Sequence, residues 1–512
     1  MSSINPHRWW LLLVVSSGLL LITLDNSILY TALPTLVQDL GASQSQLLWI
    51  INAYPLVMAG LLLGAGTLGD RVGHRRIFLI GLVVFGTAST VAAFSPSPEI
   101  LISARGLLAV GAAMMMPATL ALIRVTFDDQ REQNLAYAIW GMLAIVGSAL
   151  GPILGGFLLG HFWWGSVFLI NVPVVVAAFV GTLLVAPRVE PDPSKTWDFV
   201  SSAQAMVMLA GFVVAIKELT QGKNIEFGLA AIAVSVLAAI LFVRRQKRLT
   251  YPLLDFSVFK NPALMSGVLA AAFALFAIAG IQLTTTQRFQ IVEGFTPIQA
   301  GYLVSIIAIS CIPLSLIGGA YLHRIGLRIL IAGGLATCSV AAVITAIGFG
   351  IGLPWLICGL VIMGFGVGAA LSVASTAILG NAPIERAGMA GAVEEVSYEL
   401  GSLLAVALLG SLTAALYSFG ASFPEGTPAA ASDSIIAAWS IAEGMGADGQ
   451  EIFAEAARAF DQAYVMVLYV IAGVLAIGTV VTAMLLRDYG IGSSSTIHDW
   501  GDGDWGDEEW ES

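Results

Sequence analysis

Charged residues are scarce in this chain. Asp, Glu, Lys and Arg make up only 11% of its 512 residues, whereas hydrophobic residues make up 58%. A soluble domain usually carries about 25% charged residues, so this composition excludes an ordinary water-exposed surface. The apolar residues also come in runs longer than the roughly 20 residues that cross a hydrocarbon core of about 30 Å. The sequence therefore predicts an all-α polytopic membrane protein.

Cysteine and histidine are scarce as well. The three cysteines lie inside apolar runs, and an odd number in that setting argues against a disulfide framework. The five histidines are scattered over loops and helix ends, and the sequence contains no metal-ligand cluster, Ser/His/Asp set or nucleotide-binding loop. We therefore expect no enzyme activity, no metal and no cofactor.

Fourteen apolar runs predict fourteen membrane spans. They cover residues 9–33, 46–69, 77–95, 99–125, 134–159, 165–187, 198–218, 226–245, 262–288, 297–320, 327–350, 354–381, 387–417 and 463–486. When the spans alternate in direction, most of the 22 Lys and Arg residues fall on one side of the membrane. Since the positive side of such proteins is the cytoplasmic one, we expect a cell-membrane protein with both termini in the cytoplasm.

Acidic residues outside the spans are concentrated in two segments. One is an extracellular loop, 418–462, in which we expect two short amphipathic helices. The other is the C-terminal cytoplasmic tail, 488–512, which contains Trp500, Trp505 and Trp510. A solvated tail without a fold is the simplest interpretation, and a segment that binds a partner or folds back is the alternative.

A few ionisable residues lie within the predicted spans: Asp25, Arg105, Glu394, Glu395 and Glu399. Each costs at least about 2.5–3.5 kcal/mol at the centre of a membrane helix, so each is a candidate functional residue. Asp25 lies about 24 Å along its helix from Trp9 and has no cationic residue one turn away in the sequence. Because burial disfavours a charged carboxylate, we expect Asp25 to bind and release protons. An aspartate that faces outer-leaflet water is the alternative.

Three acidic residues crowd into the thirteenth span. Glu395 and Glu399 share a helix face, whereas Glu394 points about 100° away. Carboxylates this close cannot all stay ionised in a low-dielectric interior, so we expect at least one to titrate, as a proton-coupled carrier requires. A carboxylate is also the natural counter-charge for a cationic substrate. If the span starts later in the sequence, these acids instead lie among cytoplasmic headgroups near Arg386.

Aromatic and methionine side chains near these levels could line a site for lipophilic cations. Aromatic faces attract cations, and methionine adapts to varied shapes. The candidates, besides Asp25, Glu394 and Glu395, are Tyr30, Trp49, Tyr54, Met58, Met115, Met116 and Trp140. For each of them, ordinary packing or anchoring at the membrane interface is the alternative.

The segment 66–76, between spans 2 and 3, resembles the signature cytoplasmic loop of the major facilitator superfamily. In that family, the residues that match Asp70, Arg71, Arg75 and Arg76 hold the inward side closed. The resemblance implies the same gating role for these four residues.

The segment 147–156 in span 5 is similar to the antiporter motif of that superfamily. Gly147, Gly151 and Gly155 would permit close helix approach, and Pro152 would bend the helix, which suits a rocking interface. Arg105 resembles the charged residue of the fourth-span motif, and we expect it to organise the buried field rather than to bind substrate.

Three further stretches resemble the fourteen-span drug:proton antiporters. They are 24–34 in the first span, 164–173 at the start of the sixth, and 393–401 in the thirteenth, which looks like that of the quaternary ammonium exporters. Some of those exporters carry one additional acid where this chain has Asn52 and another where it has Ser310-Cys311. The lack of these acids favours monovalent over divalent cations.

The resemblance also implies a domain layout within the major facilitator fold. Spans 1–6 (residues 1–190) and spans 9–14 (residues 251–487) would form two six-helix bundles. Spans 7 and 8 (residues 191–250) would be an inserted helix pair.

The function that the resemblance implies is proton-coupled multidrug efflux. We expect no nucleic-acid partner; the sequence leaves the oligomeric state open, with a monomer as the simplest expectation. Lipophilic cations such as quaternary ammonium antiseptics and dyes would bind in a central cavity that opens to each side in turn. Protons from outside, taken up by Asp25 and by Glu394 or Glu395, would displace the drug. A proton-coupled exporter of a metabolite, such as an amino acid or lipid precursor, is the alternative within transport. A receptor or enzyme of another class is disfavoured by the absence of a soluble domain.

Overall fold

The structure is a computed structural model that describes residues 8–127, 129–187, 198–221, 224–249, 252–381, 387–446 and 449–489. The three tryptophans of the predicted acidic tail lie outside these residues. Every regular element in the described part is helical, which confirms the predicted all-α class.

Fourteen helices in the described part are long and apolar enough to cross a membrane, as the sequence predicts. We number them as spans 1 to 14. Spans 1–7 are Arg8–Leu40, Gln44–Val72, His74–Ala93, Pro98–Thr126, Gln130–His161, Ser166–Leu169 continued by Asn171–Val185, and Phe199–Gln221. Spans 8–14 are Ile225–Gln246, Pro262–Ile291, Pro297–Ile325, Leu327–Ile351, Leu353–Leu379, Ala387–Gly420 and Gly449–Leu485.

Two spans depart from the predicted bounds or geometry. Span 13 is not uniformly α-helical, because the π-helical turn Val406–Gly410 interrupts it. Span 14 begins at Gly449, so the second helix expected in the loop 418–462 is the start of this span. The reason is that Ile452, Ala456 and Phe460 are buried at helical spacing, and the same face continues into the apolar part of the helix.

The helix ends lie at two faces of the molecule. We call the face at which span 1 begins and span 14 ends the terminal face, and the opposite one the loop face. The loop face carries the segment between spans 13 and 14, whose described part contains the 3₁₀ helix Ala429–Ser432 and the short α-helix Ile435–Met445. The α-helix packs against spans 1, 9 and 14.

Contacts between the helices divide the spans into three groups. Spans 1–6 pack against one another, spans 9–14 pack against one another, and spans 7 and 8 form a pair. Span 7 lies against span 2 and span 13, one from each larger group. We call spans 1–6 the first bundle, spans 9–14 the second bundle, and spans 7 and 8 the inserted pair. That these groups are separate domains stays a prediction.

The two bundles meet along a seam that is closed in the half nearer the loop face. Span 5 packs against span 10 so closely that a Cβ atom on Gly301 would collide with the carbonyl of Pro152. Nearby, the Ser305 hydroxyl donates to the Ala149 carbonyl at 2.8 Å. Between spans 9 and 1, the Gln290 amide donates to the Thr31 carbonyl at 2.9 Å.

The inserted pair is fastened near the terminal face by an acidic residue at the start of span 7. Arg245 of span 8 donates two hydrogen bonds of 2.9 Å to the Asp198 carboxylate. Asp198 also accepts from the backbone amide of Ser201 at 3.2 Å and so caps span 7. Although burial opposes ionisation, the hydrogen bonds from Arg245 and Ser201 hold the pKa of the Asp198 carboxyl below its usual value.

Gly301→Ala tests the tight seam between the bundles. We expect it to lower the melting temperature of the purified protein, because overpacking of a close contact costs about 1–3 kcal/mol. The matched control is Gly319→Ala on the same helix, where no atom lies within 4 Å of an added Cβ. Equal melting temperatures for the two variants would contradict the close packing of Gly301 against span 5.

Asp198→Ala tests the fastening of the inserted pair. Loss of a cap costs about 0.5–2 kcal/mol, so the variant should melt at a lower temperature at pH 7. Since the pKa of Asp198 is lowered in the folded state, this stabilisation is present above the unfolded pKa of about 3.9 and disappears as the pH falls through the folded value. Asp488→Ala is the control because that side chain is 82% exposed. The same melting temperature for both variants at pH 7 would rule out the proposed role.

Candidate functional site

A buried ion pair lies at the centre of the first bundle. Asp25 of span 1 accepts a charge-assisted hydrogen bond from Arg105 of span 4, and both side chains are 1% exposed. The alternative that Asp25 faces outer-leaflet water is therefore wrong. No residue one turn away neutralises Asp25, but a residue 80 positions along the chain does.

Polar groups from four other places surround this pair. The Asn171 amide of span 6 donates to Asp25 at 3.0 Å and to the Ser89 hydroxyl of span 3 at 3.0 Å. The Arg105 guanidinium also donates to the Ile50 carbonyl at 3.3 Å and to the Asn26 side chain at 3.2 Å. These bonds join spans 1, 2, 3, 4 and 6 around one pair of charges.

An aromatic ring covers the guanidinium. The Arg105 Cζ atom lies 4.7 Å from the centroid of the Tyr54 ring, a cation–π arrangement. The Tyr54 hydroxyl is buried and has no hydrogen-bond partner among the described residues.

The acidic residues of span 13 fall into two environments. Glu394 is 7% exposed and is held against span 12, where it accepts hydrogen bonds from the Ser375 hydroxyl and, at 2.7 Å, from the Tyr398 hydroxyl. The carboxylates of Glu395 and Glu399 accept no hydrogen bond in the part of the chain that the structure describes. Glu394 is thus positioned by two hydroxyl groups, and the other two acids are not.

Glu399 faces the ion pair of the first bundle. It lies within electrostatic range of Arg105, Tyr30 and Tyr54, while Glu395 interacts with Glu394 and Glu399. Span 13 reaches these groups because it packs along span 2. The arrangement brings one carboxylate of the second bundle, Glu399, within electrostatic range of Arg105 of the first, which sequence spacing alone could not reveal.

The aromatic and methionine residues that the sequence predicts to bind substrate lie in different parts of the fold. Tyr30 and Tyr54 lie beside the charged groups described above. Met58 and Met115 are fully buried in the core, and Met115 packs between spans 3 and 4 against Gly81.

The three remaining candidates each lie in a different environment: Met116, Trp140 and Trp49. Met116 is 8% exposed at the edge of the core. The Trp140 indole donates to the Thr119 hydroxyl at 3.1 Å. Trp49 instead lines a crevice beside span 7. A substrate-binding role for these side chains stays a prediction.

The basic residues of the predicted gating loop differ in their surroundings within the described part of the chain. Arg75 donates to the carbonyl of Leu183, in the last turn of span 6, at 2.8 Å. This contact suits a cation at a helix C-terminus. Arg71 and Arg76 are exposed, and the side chain of Asp70 lies outside the description.

The glycines of the predicted antiporter motif pack within the first bundle. Added Cβ atoms on Gly147 and Gly151 would collide with the Thr23 and Ser27 side chains of span 1, and one on Gly155 would approach Ile28 of the same helix to 3.1 Å. These glycines therefore bring span 5 close to span 1, as the prediction of close helix approach requires.

The contact between the two bundles in this region comes from other residues of the motif. The carbonyl of Pro152 lies against Gly301, and Gly156 lies against the backbone at Ile298. Gly156 was not among the predicted gating residues. Its position at the same helical face as Pro152 is the signal that could have identified it.

Comparisons with known proteins agree with this architecture. A sequence model described as Major Facilitator Superfamily matches residues 15–406. The chain is 36% identical to the methyl viologen resistance protein SmvA of Salmonella typhimurium, over 83% of this chain and 86% of that protein. It is also 36% identical to the multidrug efflux pump LfrA of Mycolicibacterium smegmatis, over 89% of this chain and 92% of that one.

A solved structure with the same fold is a bacterial homologue of the human lysosomal transporter Spinster, in an inward-facing and unoccupied conformation. The two share a TM-score of 0.65 over 95% of this chain and 99% of the other, at 16% sequence identity. At this level of identity the likeness concerns the fold alone.

Arg105→Ala tests the buried ion pair. We expect a large loss of stability, about 3–5 kcal/mol, because Asp25 would be left as an uncompensated buried charge. The double variant Asp25→Asn with Arg105→Gln should recover part of this loss, since neither charge remains. Melting temperatures in detergent measure both effects. A double variant that is no more stable than Arg105→Ala would show that the pair does not act as a unit.

Proposed function

Because this chain belongs to the Major Facilitator Superfamily, we propose that it is a proton-coupled exporter of lipophilic, mainly monovalent cations. The coarser conclusion, a multi-pass membrane transporter related to drug efflux pumps, follows from the family and the relatives. The proton coupling and the cationic substrates are the proposal.

One observation carries the proposal. Glu399 of the second bundle lies within electrostatic range of Arg105, Tyr30 and Tyr54 of the first, and Glu395 lies within range of Glu399. Carboxylates in a region of low dielectric attract a cation strongly, and aromatic faces add about 0.5–2 kcal/mol each. A proton on the same carboxylate would abolish the first of these attractions. Cation and proton therefore compete for one set of groups, which is what an exchanger requires.

The three carboxylates of span 13 suit different tasks. Two hydroxyl groups hold Glu394 against span 12, so we assign it to fixing the shape of the site. Glu395 and Glu399 are free of such bonds in the described chain, so we assign them to proton binding and to contact with the cation. The ion pair restrains Asp25, and its protonation would release Arg105 toward Glu399.

Alternating access gives the order of events. We take the terminal face as cytoplasmic, in accord with the basic residues of its connecting segments. With the loop-face seam closed, a cation enters from the terminal face and binds the ionised acids. The bundles then rock about the site, protons from the other side displace the cation, and the protonated carrier returns.

The membrane potential can drive this cycle. Moving one elementary charge across 100 mV is worth about 2.3 kcal/mol. Exchange of more than one proton for each monovalent cation would therefore draw on both the voltage and the pH gradient. The presence of several carboxylates at the site is compatible with such a ratio.

Ethidium efflux from cells that express the protein tests the proposal. We expect efflux that an uncoupler abolishes, and at least a tenfold lower rate, roughly the effect of 1.4 kcal/mol, for Asp25→Asn, Glu395→Gln and Glu399→Gln. The control is Glu451→Gln, an exposed carboxylate at the start of span 14. Membrane levels of all variants are compared by blot.

The outcomes separate the parts of the proposal. Uncoupler-sensitive efflux that survives all three substitutions would leave the exporter standing and refute the assigned proton sites. Efflux that persists with an uncoupler would refute proton coupling. Absence of efflux for every lipophilic cation tried would favour the metabolite exporter.

A further inference from the structure

Two hydrogen bonds that cross the seam between the bundles follow one pattern. The Gln290 amide of span 9 donates to the Thr31 carbonyl of span 1 at 2.9 Å. The Ser305 hydroxyl of span 10 donates to the Ala149 carbonyl of span 5 at 2.8 Å. In each case a side chain of the second bundle donates to a backbone carbonyl of the first, and neither bond involves a charged group.

Each acceptor carbonyl lies in a helical turn that precedes a proline. Thr31 comes three residues before Pro34 in span 1. Ala149 likewise comes three residues before Pro152 in span 5. A proline inside a helix supplies no N–H group, and its ring bends the helix away from the turn before it. Since donors from neighbouring helices satisfy the carbonyl groups freed in this way, the two prolines give the first bundle acceptors for donors of the second.

The helices on each side of the seam are fastened to one another. In the first bundle, the Ser27 hydroxyl of span 1 donates to the Gly147 carbonyl of span 5 at 3.2 Å, so the two acceptor helices are joined. In the second bundle, Arg288 lies two residues before Gln290 and donates to the Asp461 carboxylate of span 14 at 3.0 Å. The two bonds across the seam therefore break together when the bundles separate there.

Two hydroxyl groups near these bonds oppose closure of the seam. Thr31 and Thr286 are completely buried, and neither hydroxyl makes a hydrogen bond to a described residue. Thr286 lies one turn before Gln290 on the face of span 9 that meets span 1. A buried hydroxyl without a partner costs free energy, and water that enters an opened seam would remove this cost. The two bonds across the seam act against this tendency to open.

We propose that Gln290 and Ser305 form a latch that holds the loop-face seam closed while the central site is open to the terminal face. The latch deepens the proposed function, because it rests on alternating access and names two residues that control it. Both are positioning residues, since they act on the placement of the bundles rather than on the substrate. A neutral hydrogen bond contributes modestly, so two of them favour the closed seam without locking it. Loss of either bond shifts the population toward the state that is open at the loop face.

The test measures how often the seam opens. Thr286→Cys places a thiol at the seam in exchange for a hydroxyl that has no described partner to lose. The exposed Cys358 is replaced by serine, while Cys311 and Cys338 are buried and give the background rate. A charged thiol reagent reaches the buried thiol only when the seam opens, so its reaction rate with the purified protein is proportional to the open population.

The expected rates follow from the pattern of the two bonds. Loss of one neutral hydrogen bond changes an equilibrium about fivefold. We expect Gln290→Leu and Ser305→Ala each to raise the reaction rate at position 286 about fivefold, and the double variant to raise it about 25-fold, because both bonds break in one opening. Melting temperatures establish that each variant is folded.

Ser339→Ala is the matched control. The Ser339 hydroxyl donates to the Ala472 carbonyl at 2.8 Å, which is the same kind of bond as that of Ser305. It joins spans 11 and 14, however, which belong to one bundle. Its removal should leave the reaction rate at position 286 unchanged.

Three results would overturn the proposal. The rate could stay unchanged in the double variant, in which case the bonds do not hold the seam. It could rise in Gln290→Leu but not in Ser305→Ala, which would confine the effect to the surroundings of position 286. It could rise as much in Ser339→Ala, which would indicate a general loosening of the bundle. Because the assay contains neither substrate nor a proton gradient, none of these results bears on the proton sites or the cationic substrates.

Discussion

A charge placed in hydrocarbon must find its counter-charge inside the protein, and this constraint organises the first bundle. Asp25 and Arg105 come from different helices, and neither side chain reaches water. Polar and aromatic groups of the protein, such as the Asn171 amide and the Tyr54 ring, replace the water that would otherwise solvate the two charges. Because desolvation of two ions costs several kcal/mol each, such a pair is a poor source of stability unless its bonds are complete.

The second bundle contributes three acidic residues, which differ in how firmly hydrogen bonds hold them. Glu394 is tied to span 12, while Glu395 and Glu399 have only electrostatic neighbours. In the proposed exchange, the restrained carboxylate would keep the shape of the site while the charge of the other two changes. The close packing of span 5 against spans 1 and 10 lets the bundles share a long contact without large side chains between them.

The number and bounds of most helices could be predicted from the sequence, because span length and charge asymmetry are local properties. The start of span 14 could not be predicted. The amphipathic segment before its apolar run looks like a separate helix in the sequence, and only the structure shows that one buried face runs through both. Asp25 and Glu399 were recognisable as costly residues in apolar runs. The pairing of Asp25 with Arg105 was not, because it depends on how spans 1 and 4 are arranged. The same holds for Trp49, which the sequence places with the other aromatic candidates and the fold places beside span 7.

The length of span 14 has a mechanical consequence. Its 37 residues extend for about 55 Å, whereas the hydrocarbon core is about 30 Å thick. The surplus extends past the core at the loop face as a helical rod that packs against the helix Ile435–Met445. Arg458 on this rod donates to the Gly420 carbonyl at the end of span 13 at 3.0 Å. The rod is thus a lever fixed to the carboxylate-bearing span. If the second bundle tilts by about 10°, its tip, roughly 25 Å from the membrane, sweeps through about 4 Å. A small rotation of the second bundle inside the bilayer therefore moves the tip of span 14, outside the bilayer, by about the width of a side chain.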